Sequence, residues 1–372
     1  MPMKKQPCYL LLLMLATVFS CRSEKIDVSD PNNITLTNLP HSPTNYELNK
    51  PEFFDSMPIP VDNIMTEEGV ELGRYLFYDS ILSQDGQTEC ATCHQLENSF
   101  SNQNALATGG NGQLNSRSTM TLANVGYVET SYFWDGHAST LETATLSELT
   151  NPDAMNGVAA DFLAKIRNDA DYRKRFRAAF PIENTNEIDA NLVSKALAQF
   201  QRTFITANSR LDRAQSTNSN GFELTDLEVD GYFLFFREQN FTLHPGCSHC
   251  HGATYFQGDT YYNNGLDEVD DLNNFPDLGR GGVTGIYADN GTFRAPTLRN
   301  IETTAPYMHD GRFGTLEEVL NHYQSGGHPA DNLDQEITGF PLTDYEKESL
   351  LAFLKSLTDP DFLDNSDFKS PF

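Results

Sequence analysis

This chain of 372 residues is short of cysteine, tryptophan and positive charge, and each shortage excludes something. It has six cysteines. Cys8 falls in the N-terminal leader and Cys21 directly follows it, so the body has only Cys90, Cys93, Cys247 and Cys250, with no cysteine besides them for a structural disulfide. Lys and Arg number 25 against 52 Asp and Glu, a formal net charge of −27. That balance argues against nucleic-acid binding and against electrostatic adhesion to an anionic membrane. A solvated acidic surface is its ordinary consequence. No run of alternating apolar and polar residues marks a substantial sheet. The apolar run 9-YLLLLMLATVF-19 is too short to cross a bilayer as a helix.

The four body cysteines form two identical patterns. The stretch 88-TECATCHQ-95 holds Cys90, Cys93 and His94, and 246-GCSHCHG-252 repeats the order with Cys247, Cys250 and His251. C-x-x-C-H is the attachment signature of c-type haem. The two thiols add across the vinyl groups of one porphyrin, and the adjacent histidine becomes the proximal iron ligand. A zinc half-site or a reactive dithiol is the plainer alternative. Paired zinc half-sites usually lie closer together, and a dithiol does not call for histidine at the same offset twice. Two covalent haem c groups are therefore expected. With redox cofactors, the acidic surface is also compatible with a basic electron donor.

The leader, residues 1–20, reads as a lipoprotein signal. Lys4 and Lys5 precede the apolar run, and 18-VFSC-21 resembles a bacterial lipobox ending at Cys21. An ordinary cleaved signal is the alternative. Either reading makes the protein exported, and the first anchors it by lipid at Cys21 on the periplasmic face, otherwise soluble. Residues 21–50 are polar and read as a tether.

The body carries a weak internal repeat. The segments 66-TEEGVELGRYLF-77 and 225-TDLEVDGYFLFF-236 both start at a capping Thr and place Phe four residues after Gly. Further helices are expected at 159–180, 188–207, 315–325 and 343–357. Long loops rich in Gly and Asn lie at 101–118 and 257–295. The expectation is a mainly α fold of two cytochrome c-type haem domains with long loops. These are an N-terminal peroxidatic domain at 51–215 and a C-terminal electron-transfer domain at 216–372.

The segments 81-ILSQDGQTECATCHQLENSFS-101, 133-FWDGHASTLE-142, 247-CSHCHG-252 and 294-RAPTLRNIETTAPYMHDGRFGTLEEVLNHY-323 carry a family resemblance. The chain resembles bacterial dihaem cytochrome c peroxidases and their relative MauG over roughly residues 50–358. The resemblance implies that His94 and His251 are the proximal ligands and that Trp134, the single tryptophan, lies between the two haems. Electrons would enter at the second haem and reach the first, where peroxide is reduced. The sixth ligand of the second haem would fall at Tyr323, fourteen residues after His309. The peroxidases have Met there and MauG has Tyr, and a phenolate favours oxidised iron. Met308 and His322 compete for that role. A calcium ion between the domains would take the carbonyls of Thr304 and Pro306, with Ser118 near a position that is Asn in the family.

The chain departs from the family at the peroxide site. Gln and Glu are expected ten and twenty residues after the tryptophan, but Ala144 and Ala154 stand there. Glu142, Glu148 and Asp153 are the substitute acids, with Glu148 first. No His occurs in 108-TGGNGQ-113, where many peroxidases have a distal one that switches the first haem off. His137 stands where the family often has Arg, and a surface or propionate hydrogen bond is its expected role. The expected activity is reduction of hydrogen peroxide to water with electrons from a small donor of cytochrome c or cupredoxin type. The alternatives are a MauG-like oxidase acting on a protein or other large substrate, and a dihaem electron carrier. The family also implies a homodimer.

Overall fold

The computed structural model describes residues 33–216, 224–237, 246–252 and 254–372. The expected signal, Cys21 and the first part of the expected tether lie outside them. The described chain is mostly helical. Its helices are α1 (Glu67–Phe77), α2 (Cys90–Cys93), α3 (Leu141–Thr150), α4 (Ala159–Asn168), α5 (Ala170–Ala179), α6 (Ala190–Arg202) and α7 (Arg210–Gln215). They continue as α8 (Asp226–Phe236), α9 (Cys247–Cys250), α10 (Arg280–Thr284), α11 (Leu316–Ser325), α12 (Asp344–Lys355) and α13 (Pro360–Leu363). One short antiparallel pair, β1 (Tyr261–Tyr262) with β2 (Phe293–Arg294), sets Tyr261 opposite Arg294.

The helix starts follow their caps. The Thr66 hydroxyl accepts from the Gly69 N–H, and Thr225 and Glu228 form a reciprocal capping box at α8. The expected helix at 159–180 is broken instead. Asp169 is extended, and its carboxylate accepts from the N–H groups of Asp171 and Tyr172, starting α5 afresh. The expected helix at 188–207 stops at Arg202, where the Thr203 hydroxyl turns back to the Phe200 carbonyl.

Two buried apolar cores organise the molecule. The first gathers Leu72, Leu76 and Phe77 of α1, Phe176 of α5, and Val193, Leu197 and Phe200 of α6. The second gathers Leu234 and Phe235 of α8, Leu320 of α11, and Leu350, Phe353 and Leu354 of α12. The repeat seen in the sequence is a repeat of packing. A Cβ on Gly73 would sit 2.0 Å from the Ala196 carbonyl oxygen, with the Phe200 Cβ next. A Cβ on Gly231 would sit 2.0 Å from the Ser349 carbonyl oxygen, with the Phe353 Cβ next. Each glycine lets one helix touch the backbone of its partner, α1 on α6 and α8 on α12.

Both ends of the described chain return to the first core. Leu36 is 1% exposed, although it lies within the stretch read as a tether. Its N–H donates to the Glu183 carbonyl, and Asn45 bridges to Thr66. Residues 33–50 thus lie against the body: Leu36 enters the first core, Leu39 packs on it and Leu48 packs on the cluster around Phe54, apolar side chains that a polar composition conceals. At the other end, Phe362 and Phe368 complete the first core, outside the 51–215 segment. Arg74 of α1 donates to the carbonyls of Lys369 and Ser366 at 2.7 and 2.9 Å. A buried polar seam joins the halves. The Asn300 amide donates to the Ser99 hydroxyl at 2.9 Å, and its carbonyl accepts from the Asp359 N–H at 2.7 Å.

Candidate functional site

Each C-x-x-C-H folds as one short helix, α2 or α9, ending at its histidine. Each opens onto its own pocket. Cys90, Cys93 and His94 line the first, and Cys247, Cys250 and His251 line the second. The histidines are oriented alike. Nδ1 of His94 donates to the Phe100 carbonyl at 2.7 Å, and Nδ1 of His251 to the Pro296 carbonyl at 3.0 Å. A carbonyl partner places the proton on Nδ1 and leaves Nε2 as the lone-pair nitrogen, the form that binds a metal. Burial supports the neutral ring: it lowers the pKa of His94, and that of His251 to about 4.

The thiols are shifted away from reactivity. Burial pushes Cys90, Cys247 and Cys250 up to about 12, and Cys93 to about 11. A reactive dithiol or thiolate metal ligand needs the opposite shift. Neutral, enclosed thiols beside an apolar pocket suit thioether attachment to a porphyrin. Arg294 adds a cation whose buried Nε and Nη1 have no partner, in a position lining both pockets. A propionate-bearing macrocycle supplies the anion that such a group needs. The residues present therefore fit a haem c in each pocket.

Trp134 also lines both pockets. Its indole N–H donates to the Ser118 carbonyl at 2.9 Å, and its own carbonyl accepts from the Arg294 N–H at 2.8 Å. Phe133 just before it has φ 68°, a left-handed conformation costly for an aromatic residue and suggestive of a constrained site. The following Asp135 is held well below the usual carboxylate range despite its burial, by His137 and Arg117. Arg117 is itself clasped by Asp135 at 2.6 Å and Asp277 at 2.7 Å. His137 stacks on Phe133 at 4.2 Å and also lines the first pocket.

The first pocket tests the departures read from the sequence. Ala144 and Ala154, where the resemblance puts Gln and Glu, both line it and bring no polar side chain. Glu148 and Asp153 line it too. Glu142 does not: it pairs with Arg202 at 2.7 and 3.1 Å and accepts from Asn63 at 2.6 Å, which makes it structural. Glu148 accepts only a long bond from the Asn151 amide, 3.4 Å. Burial raises its pKa, opposed by that bond and by His137.

The second pocket holds Tyr323 and Met308 together. The Asn264 amide donates to the Tyr323 hydroxyl at 3.5 Å and to the Met308 sulfur at 3.6 Å. Burial pushes the Tyr323 phenol up to about 12. His322 is tied down elsewhere, through Nε2 to the Asn264 carbonyl at 2.8 Å. His309 lines the pocket, stacked on Phe293 at 3.8 Å. Nothing in the sequence singled out Asn264, Arg117 or the unpaired Arg294, because each contact joins segments remote in the chain.

The calcium expectation fares less well. Thr304 and Pro306 line the second pocket, and among the described residues no donor is paired with either carbonyl. Ser118, near the family's Asn position, turns its hydroxyl to the Met308 carbonyl at 2.7 Å. The calcium site remains what the resemblance implies, and no step is assigned to the ion. No helix among the described residues is long and apolar enough to cross a membrane.

Residues 67–220 match the di-haem cytochrome c peroxidase family. The methylamine utilization protein MauG of Methylorubrum extorquens is 33% identical over 303 residues, 82% of each chain. The cytochrome c551 peroxidase of Nitrosomonas europaea is 31% identical over 81% of this chain and 82% of that one. Among solved structures, a MauG-like protein associated with microbial copper homeostasis aligns with TM-score 0.78 and 33% identity. The alignment covers 88% of this chain and 99% of that one.

Proposed function

The chain belongs to the di-haem cytochrome c peroxidase family that also contains MauG, and on that premise we propose an exported oxidoreductase that reduces hydrogen peroxide to water. The observation that carries the reading is Trp134, which walls both cofactor pockets at once. Two haem c groups, on Cys90, Cys93 and His94 and on Cys247, Cys250 and His251, would supply the one-electron chemistry. A small redox protein of cytochrome c or cupredoxin type would donate electrons at the second pocket, and the indole would shorten the transfer to the first. A lipid on Cys21 would hold the protein at the periplasmic face.

At the first pocket, Glu148 is the group placed to move a proton. Its raised pKa makes the carboxylate a stronger base towards the near oxygen of peroxide, and the same proton can then go to the far oxygen. The balance is one peroxide, two electrons and two protons to two waters. Ala144 and Ala154 leave apolar walls, so Glu148 acts without the usual amide partner.

Tyr323 favours a second reading, a MauG-like oxidase that acts on a protein or other large substrate. Its phenol lies in the second pocket with an amide donor near its oxygen. A hard phenolate ligand would disfavour the reduced state there. The deciding experiment is stoichiometric hydrogen peroxide added to the diferric holoprotein, followed by visible and near-infrared absorption. A peroxidase that needs prior reduction stays unchanged in the diferric form and reacts rapidly after one-electron reduction. A rapid, lasting change in the diferric form supports the oxidase. Silence in both states would overturn both readings and leave an electron carrier.

A further inference from the structure

Arg294 lines both pockets and has no ion-pair partner among the described residues. It is 6% exposed, and its Nε and Nη1 are buried without a hydrogen-bond partner. Buried arginines elsewhere in the chain are paired: Arg202 with Glu142 at 2.7 Å and Arg299 with Asp212 at 2.8 Å. The neighbours of Arg294 do not provide for it. The Tyr132 hydroxyl is committed to the Val128 carbonyl at 2.8 Å. The Tyr261 hydroxyl, on the residue directly across the strand pair, is itself buried without a partner. Asp259 is exposed and acts only through space. An uncompensated buried charge is strongly destabilising. The position therefore calls for an anion that none of the described residues supplies.

We propose that Arg294 is a shared carboxylate clamp, taking one propionate from the haem of each pocket and so coupling the two cofactors electrostatically. The guanidinium is permanently charged and planar, and its fork matches carboxylate geometry. Nε and Nη1 open on different edges of that fork, so one side chain can serve two anions. Its backbone is pinned to the Trp134 carbonyl at 2.8 Å, which sets the charge beside the bridging indole. A cation next to a haem favours the reduced state, because reduction adds negative charge. Arg294 borders both pockets, so it acts on both haems. The clamp rests on the two-haem reading of the pockets.

The test is spectroelectrochemical titration of the wild-type holoprotein and of Arg294→Gln and Arg294→Lys, with haem content measured for each. Arg294→Gln is expected to disfavour reduction at both haems by about tenfold in the equilibrium constant, a drop of ~59 mV each for a one-electron couple. Arg294→Lys, which keeps the charge, is expected to recover most of that shift. Fully loaded Arg294→Gln with one potential moved, or none, overturns the proposal, and so does a Lys variant that recovers nothing. If the Gln variant fails to load both haems, the Lys variant decides. Full loading with near-wild-type potentials supports the clamp, and failure to load overturns it. A wild-type protein lacking two haems would instead remove the cofactor reading itself.

Discussion

Replacing Glu148 with Gln removes one proton-transfer group and little else. The two side chains have the same shape, and Gln can still accept the 3.4 Å bond from Asn151. If Glu148 moves the peroxide proton, kcat/KM for hydrogen peroxide falls by about 10²–10⁴. At about 1.36 kcal/mol per tenfold, that is a loss of roughly 2.7–5.4 kcal/mol of transition-state stabilisation. The pH profile distinguishes this from a packing effect. The carboxylate is the form that accepts the proton, so activity rises with pH through the Glu148 pKa. Burial raises that pKa, so the acid limb lies above the ordinary carboxylate range, and the Gln variant lacks it. Steady-state turnover with an artificial one-electron donor, at matched haem content across pH 4–8, is the assay. A Gln variant within about threefold of wild type, with the same acid limb, would refute the reasoning.

Three further outcomes follow from the same geometry. Tyr323→Met is expected to raise the potential of the second haem by a sizeable part of the ~0.8 V range that axial ligands span. If the wild type is MauG-like, peroxidase turnover survives this change while the persistent oxidised state is lost; redox titration and the peroxide spectra report both. Gly231→Ala forces a methyl onto the Ser349 carbonyl, so α8 and α12 must separate at about 1–3 kcal/mol, read as a lower denaturation midpoint of the holoprotein. Glu142→Ala strands the buried Arg202 cation and should cost about 3–5 kcal/mol. The Glu142 pKa is held below its usual 4.5 by Arg202, so the pair stabilises the fold above that pH. Its contribution fades as pH falls through the lowered value, and a denaturation series in pH should show that acid-side loss in the wild type alone.

What the sequence disclosed was local. The cysteine spacing, the Thr caps and the Gly-to-Phe repeat are short-range signals, and the structure places each on a helix or a pocket wall. Counting from Trp134 also led to Ala144 and Ala154, and both line the first pocket, one on α3 and one in the loop after it. What stayed hidden depends on segments meeting through space. The break at Asp169 turns on a carboxylate choosing its own backbone over helix continuity. The docking of residues 33–50 depends on Leu36 finding a core built from residues far down the chain. The isolation of Arg294 is visible only once every neighbour's hydrogen bond has been counted.

The return of Phe362 and Phe368 to the first core sets an order of assembly. Domains usually form as units, the N-terminal one first as the chain emerges. Here α1, the first helix among the described residues, holds the carbonyls of Ser366 and Lys369, 292 and 295 residues downstream. The N-terminal half can collapse early, but the contacts that complete its core wait for residues 362–369 to be made. Cys90 packs against that same core, so the first pentad sits on a body completed by residues far downstream. Phe362 and Phe368 are thus late pieces of the first core, and their loss would strip apolar packing from the half that carries Cys90 and Cys93.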